Sequence, residues 1–395
     1  MAAVKVKPTL PINPLVLAWA RDWAGMSQED AAKKVNKSAD NIKQWEDINS
    51  NKVPTVRQAR LLAKAYGRSF LEFFFADPPN VDEVRLIPDF RLYVTAEEPS
   101  ESREIKVIQR WAEIQRDNAI NLYEEIGEVP SSYPDSLRAT IKDNSEIVSQ
   151  AAREAFDFTR KDTEHLRGND RQKIVSILRE KLEAKGILVL KKTELKSLGI
   201  RGFSLTDRPL PAIVFSKESP RAQAFTIAHE LAHIIINMSS ICGYVPRSGG
   251  DEATRKVEEW CDSFAGAFLM PKDEIVALFS GVKETLPSLS DEKLRSVANQ
   301  FCVSDHAALI RLVNLKLVAP SYYWDVKKPE FDSQIYKGGG RSKFYGTRYV
   351  ASNGQLYTNL VLQAWGNGAI TNHKAAEYMG IKRLSHLNDI RKNFS

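Results

Sequence analysis

The 395-residue chain is poor in cysteine and histidine and has no long apolar run. Cys242, Cys261 and Cys302 are too few and too scattered for a disulfide framework, so a reducing cytoplasm is expected and all three read as small core residues. No stretch is long and apolar enough to span a bilayer, and Met1-Ala-Ala-Val-Lys5 lacks a hydrophobic signal core. Neither membrane insertion nor export is expected. A large excess of one charge sign is also missing: the net charge is +6, with 43% apolar and 27% charged residues, the balance of a soluble globular protein. A chain of this length holds two or three domains. The charge that exists is uneven. Residues 337–395 carry nine Lys/Arg against two Asp/Glu, and residues 1–80 carry twelve against eight. Basic ends are compatible with a nucleic-acid partner.

Of only six histidines, two stand four residues apart in Thr226-Ile-Ala-His229-Glu230-Leu-Ala-His233-Ile-Ile-Ile236. The segment has no Gly or Pro, and on a helix this spacing puts both imidazoles on one face, one turn apart. Two neutral imidazoles so placed can hold one Zn²⁺, and Glu230 between them can take a proton from water at that metal. A buried helix whose histidines are only hydrogen-bonded is the alternative, but such groups are costly to bury without a partner.

A tetrahedral site with an open position needs a third protein ligand. The candidate lies in Val257-Glu258-Glu259-Trp260-Cys261-Asp262-Ser263-Phe264, where Val257, Cys261 and Phe264 form one apolar stripe. Glu258 and Asp262 sit four apart beside that stripe. Glu258 is the expected ligand and Asp262 the acceptor for a ligand imidazole N–H. Glu259 points about 100° away. For a further donor toward an oxyanion, Tyr244, His306 and Arg221 are candidates without a ranking.

The first eighty residues read as four short helices. Pro14 to Trp23 has Leu15, Ala18, Trp19 and Trp23 at helical spacing. Ser27 caps a second helix with a small-residue face (Ala31, Ala32, Val35), and Ser38 caps a third whose inward residues are Ile42 and Trp45. Pro54-Thr55 opens a fourth through Leu61, Leu62 and Ala65. This pattern resembles the lambda-repressor-like, or XRE, helix-turn-helix family across residues 12–75. The resemblance implies that the third helix lies in the major groove of double-stranded operator DNA. By position Gln28 would touch the backbone, Ser38 would stand at the helix start, and Ala39, Asp40, Asn41, Lys43 and Gln44 would face bases. Ala39 and Asp40 make this face less basic than is usual in the family. A helical bundle serving as an interaction module is the other reading.

Asp77-Pro-Pro-Asn80, Ile87-Pro-Asp-Phe-Arg91 and Glu97-Glu-Pro-Ser-Glu101 mark a connector. Helices follow over about 105–122 and 136–156, as buttress or spacer. Near Asp170 a helix (Ile174, Ile177, Leu178, Leu182) stops at Gly186. Ile187–Leu190, Gly202–Leu205 and Ala212–Phe215 read as strands. Beyond Gly338-Gly-Gly340, Phe344 to Tyr357 reads as two strands around Asn353-Gly354, and Leu360 to Trp365 as a helix. Residues 370–392 echo a helix-turn-helix with Lys382, Arg383, Arg391 and Lys392, for nucleic acid or for protein packing.

Phe225-Thr-Ile-Ala-His-Glu-Leu-Ala-His233 with Val257-Glu-x-x-Cys-Asp-x-Phe-Ala and Leu269-Met-Pro271 is similar to the ImmA/IrrE metallopeptidase family over about residues 170–320. Gly199-Ile-Arg-Gly-Phe203 and Val303-Ser304 with Ile310-Arg-Leu312 carry the same likeness. The family commonly has Asn where this chain has Asp262, which accepts the same hydrogen bond. The resemblance implies His229, His233 and Glu258 as ligands of one catalytic-type zinc and Glu230 as general base in peptide hydrolysis. The expected class is α+β, mainly α: a lambda-repressor-like bundle at 1–76, a linker and helical spacer at 77–169, a zincin-like domain with a small β-sheet at 170–325, and a basic, small α+β module at 326–395. Two functions fit this organisation. One is a cytoplasmic DNA-binding regulator, antitoxin-like or a stress- or phage-response repressor, dimeric on paired half-sites, whose peptidase cuts one toxin or repressor partner. The other is a non-proteolytic antitoxin or repressor whose zinc site shapes a surface for a partner toxin.

Overall fold

The computed structural model describes residues 11–68, 70–78, 103–131, 133–238, 241–243, 252–281, 284–333, 345–381 and 383–392. They divide into two compact units, the first ending within a long helix at Arg110 and the second running from Trp111. The connector motifs at Asn80, Ile87–Arg91 and Glu97–Glu101 lie outside the described residues.

The first unit is built of α1 (Pro14–Trp23), α2 (Gln28–Val35), α3 (Ala39–Glu46) and α4 (Val56–Tyr66), followed after a 3-10 turn by the start of α5 (Arg103–Ile126). Each of the short helices has a cap that its sequence announces. Asn13 accepts from Leu15 N, Ser27 from Asp30 N and Thr55 from Gln58 N, while Ser38 and Asn41 form a reciprocal box. Asn36 and Gly67 close α2 and α4 in the left-handed region. The core is Val16, Leu17, Ala20, Ala31, Ile42, Trp45, Leu62, Tyr66 and Phe73 with their neighbours. The inward stripe of α1 differs from the expected one: Val16, Leu17 and Ala20 are buried and Leu15 is exposed. Trp19 and Trp23 take the rim instead, where the Arg68 guanidinium lies over both rings at 4.6 and 4.9 Å.

The second unit centres on one helix. After α5 come α6 (Ser145–Ala155), α7 (Ile174–Glu183), β1 (Leu188–Lys191), β2 (Ile200–Leu205), β3 (Ala212–Phe215) and α8 (Pro220–Ile235). Then follow β4 (Ile241–Gly243), α9 (Glu252–Leu269), α10 (Lys272–Ala277), α11 (Asp291–Gln300), α12 (Asp305–Asn314), α13 (Lys328–Asp332), α14 (Tyr345–Gly366), α15 (Asn372–Tyr378) and α16 (Ser385–Lys392). The sheet order is β1-β3-β2-β4, with β1 parallel to β3 and the other pairs antiparallel. β3 is buried throughout, as its unbroken Ala-Ile-Val-Phe predicts for an inner strand. The fourth strand was not foreseen; at three residues it is too short to show a period. α8 packs against β2, β3, α7 and α9. α6 begins later than its apolar spacing suggests, because Asn144 caps it and Asp143 first closes a turn on Thr140. It buttresses α9: Arg153 donates to Phe268 O (2.6 Å) and the Trp260 indole donates to Asp143 O (2.8 Å). Cys261 and Cys302 are buried and free.

The expected strands around Asn353-Gly354 are a correction to the sequence reading. The segment is helical on both sides of Gly354, and every described element of residues 345–392 is a helix. Burial of Tyr349, Tyr357, Leu360, Val361 and Ala364 follows helical spacing, which outweighs the local Asn-Gly turn signal. Gly354 breaks the helix at φ 82°, ψ 168°, where a Cβ would stand 2.1 Å from Glu183 Oε1. The break frees two backbone donors, and Glu183 Oε2 accepts from both Gln355 N and Leu356 N at 2.9 Å. Arg179 donates to Ala351 O and Val189 O from the same buried spot. Residues 345–366 are thereby held against β1 and α7.

Candidate metal centre and recognition helix

Ser219 caps α8 by accepting from Ala222 N, Pro220 occupies the first turn, and Ile-Leu-Ala residues fill the rest. Every residue from Thr226 to Ile235 is buried. Such a helix can carry polar groups only where they find partners. His229 Nε2 and His233 Nε2 are 3.2 Å apart. Across from them, Glu258 of α9 sets Oε2 at 3.3 Å from His229 Nε2 and Oε1 at 3.1 Å from His233 Nε2. A tetrahedron with metal–ligand bonds of about 2.0 Å has edges of about 3.3 Å, so these separations suit one small cation. Three electron-pair donors converging in a buried place fit a metal by their chemistry as well.

Asp262 lies one turn beyond Glu258, with Oδ1 at 2.9 Å from His229 Nδ1. A carboxylate accepts, so Nδ1 carries the proton and Nε2 keeps its lone pair toward His233 and Glu258. Burial lowers the His233 pKa and thus favours the neutral imidazole that a metal requires. Burial pushes the Glu258 carboxyl upward, but the facing His229 and His233 imidazoles outweigh it and hold the carboxyl well below the usual carboxylate range. Glu259 points away and pairs with Arg255 (3.6 Å), and Lys256 pairs with Glu252 rather than Glu258.

Glu230 is completely buried, on the strand side of α8. Gly202 of β2 makes that possible. A Cβ there would come within 2.9 Å of both Thr226 Cγ2 and Val214 O and within 3.1 Å of Glu230 Oε1. The sequence reading used Gly202 as part of a strand and of the Gly199–Phe203 likeness, without a role for the residue itself; a glycine inside a strand is itself the signal of close approach. Glu218 was also missed. It accepts from the Thr226 hydroxyl (2.9 Å) and faces Arg201 (3.3 Å), anchoring the first turns of α8.

The three oxyanion candidates fare differently. Arg221 is committed to Val303 O (3.0 Å) and Asn299 Oδ1 (2.6 Å). His306 bonds the Tyr323 hydroxyl (2.9 Å) and stacks on Phe331, a structural use. Tyr244 lies outside the described residues.

In the first unit α3 turns Ile42 and Trp45 inward and leaves Ser38, Asp40 and Lys43 exposed, with Ala39, Asn41 and Gln44 half-buried. Three of these side chains already have local work: Asn41 Oδ1 accepts from the Ser38 hydroxyl (3.1 Å), and Gln44 Oε1 accepts from Lys52 Nζ (2.8 Å). Gln28 Nε2 donates to Glu46 Oε2 (2.9 Å), the carboxylate that Arg21 also grips at 2.7 and 3.0 Å. The start of α2 is thereby tied to the end of α3.

Comparison with known proteins agrees with both geometries. Residues 17–73 match a family model described as Helix-turn-helix, and residues 182–313 match one described as IrrE N-terminal-like domain, a peptidase family. A comparison with curated proteins finds no match for the chain. Among the described residues, no helix is long and apolar enough to cross a membrane. The chain therefore joins an XRE-type, DNA-binding helix-turn-helix domain to a peptidase-like domain of the IrrE/ImmA family.

Proposed function

We propose that this protein is a DNA-binding regulator whose second unit is a zinc peptidase of narrow specificity, antitoxin-like or a stress- or phage-response repressor that cuts one protein partner. One observation carries the reading: His229 and His233, on the helix that holds Glu230, and Glu258 of α9 bring donors within 3.1–3.3 Å of one another. His229 and His233 would hold zinc by Nε2 and Glu258 by its carboxylate, with Asp262 fixing the His229 ring. Zinc would supply Lewis acidity at the open position. Glu230 would take a proton on its carboxylate from the attacking water and release it to the departing amine. Burial of the donors restricts access, which fits one partner better than general digestion. A homodimer would let two copies of α3 read paired half-sites.

The complete burial of Glu230 favours a second reading, in which zinc is structural and the domain shapes a surface for a partner toxin. One comparison separates them. Wild type and Glu230→Gln should bind zinc alike, measured by elemental analysis, while only wild type should generate new protein N-termini in host lysate. New N-termini from neither protein, with partner binding intact in both, would sink the peptidase reading.

A further inference from the structure

α11 ends at Gln300, and the chain reverses at Cys302 with φ 55°. Arginines gather around that end. Arg160 donates to Gln300 O (2.6 Å), Arg171 to Asn299 O (3.0 Å), and Arg221 to Val303 O and to the Asn299 side chain. A helix C-terminus carries about half a negative charge, so these contacts account for Arg160, Arg171 and Arg221. They do not account for Arg167 and Arg295. Among the described residues Arg167 donates within its own loop, to Glu164 O and Leu166 O, and Arg295 meets Asp305 at 3.6 Å. Both side chains are exposed.

Arg160, Arg167, Arg171 and Arg295 line a single cleft of about 900 Å³. Among the described residues, the carboxylates Glu164 and Glu292 line it with them, beside the Ser296 hydroxyl and the Asn299 amide, and Glu274 lies 3.6 Å from Arg160 outside the lining. The charges bear on one another: burial lowers the Arg221 pKa, Asp305 and the Cys302 thiol oppose that, and Arg171 and Arg295 add to it. Burial raises the Cys302 thiol pKa, and Arg221, Arg171, Arg160 and Arg167 each act to lower it. Like charges collected at one place lower their mutual repulsion by binding an anion. A planar guanidinium matches carboxylate and phosphate alike, but a lining with two more cations than anions, arrayed around a wide cleft, suits a multiply charged anion better than one carboxylate.

We propose that this cleft binds the diphosphate group of a small ligand, either inorganic or carried by a nucleotide, with Arg167 and Arg295 as the gripping residues and Arg171 as the floor. The site uses none of the groups assigned to the metal centre, so it stands or falls independently of the peptidase reading.

The test is calorimetric titration of the full chain with inorganic pyrophosphate, ADP and adenosine at constant ionic strength, with sulfate and poly-glutamate as competitors. The Arg167→Gln/Arg295→Gln double variant alters two exposed side chains and should keep the wild-type Tm without ligand. Pyrophosphate should bind wild type and bind the double variant about tenfold or more weakly. Any chelation of metal by pyrophosphate would be equal in the two proteins and cancels in that ratio. Tighter binding of ADP with none of adenosine identifies a nucleotide, and equal binding of ADP and pyrophosphate identifies the inorganic anion; both support the site. Four results overturn it: no binding of pyrophosphate at millimolar concentration, equal binding by both proteins, equal competition by sulfate, or preference for poly-glutamate, which would mean an acidic peptide.

Discussion

In the first unit, α3 buries Ile42 and Trp45 and leaves Asp40 and Lys43 in solvent. In the second, α8 buries every residue from Thr226 to Ile235, the candidate metal ligands and Glu230 included. A recognition helix must offer polar groups outward, so its function costs the fold little and can change without it. A metal helix must bring polar groups inward, where each needs a partner, so its function and its packing are the same contacts.

Changes that break this contrast should therefore have very unequal effects. The largest is expected at glycines. Gly354→Val puts a side chain at φ 82° into Glu183 and should destabilise the second unit by more than about 3 kcal/mol. Gly67→Ala, at φ 69° with nearest atoms 3.7 Å away, should cost the first unit about 1–2 kcal/mol. Thermal unfolding should show the second-unit transition moving far more; comparable shifts would mean that the two units are equally tolerant.

Next in size is the orientation of His229. Asp262→Ala should weaken zinc binding by about 10–100-fold, while Asp262→Asn, which can still accept, should come close to wild type. Titration against a chelating zinc indicator would settle it, and equal loss in both variants would assign Asp262 a purely electrostatic part.

A further effect is pH-dependent. Burial lifts the Glu183 carboxyl to about 7 against an ordinary 4.5, despite Arg179 and the backbone hydrogen bonds of Leu356, Gln355 and Val189. Between those values the folded chain binds more protons than the unfolded one, so this group's stabilisation falls as pH rises through about 4.5 to 7. Urea unfolding at both ends of that window should give a shallower slope for Glu183→Gln than for wild type; identical slopes would show that Glu183 is ionised throughout.

The smallest change in stability is expected on α3. Lys43→Ala should leave stability within about 0.5 kcal/mol yet weaken DNA binding and lower its salt slope by about one. Asn41→Ala should sharpen the contrast further. It also removes the partner of the Ser38 hydroxyl, so a loss of about 1 kcal/mol should accompany any loss of affinity.

Much of this was readable in one dimension. The caps at Ser27, Ser38 and Thr55 act within three residues, and a four-residue spacing makes His229 and His233 neighbours on any helix. Local rules reach that far and no further. They misjudged Leu15, because the inward face of α1 depends on where α3 and α4 lie. They read a hairpin at Asn353-Gly354, because the buried pair that receives the break belongs to α7, some 170 positions earlier. Gly202 looked like an ordinary strand residue until the Glu230 side chain was placed against it.

The sequence alone determined the chemistry available: two imidazoles and a carboxylate in register on one helix, two acidic residues one turn apart on another, and four capped helices before them. Only the tertiary structure decided that Glu258 faces both histidines while Glu259 does not, that Asp262 holds His229, and that arginines from separate elements meet in one cleft. Spacing along a helix fixes which groups share a face, whereas the packing of one helix on another selects which face is used.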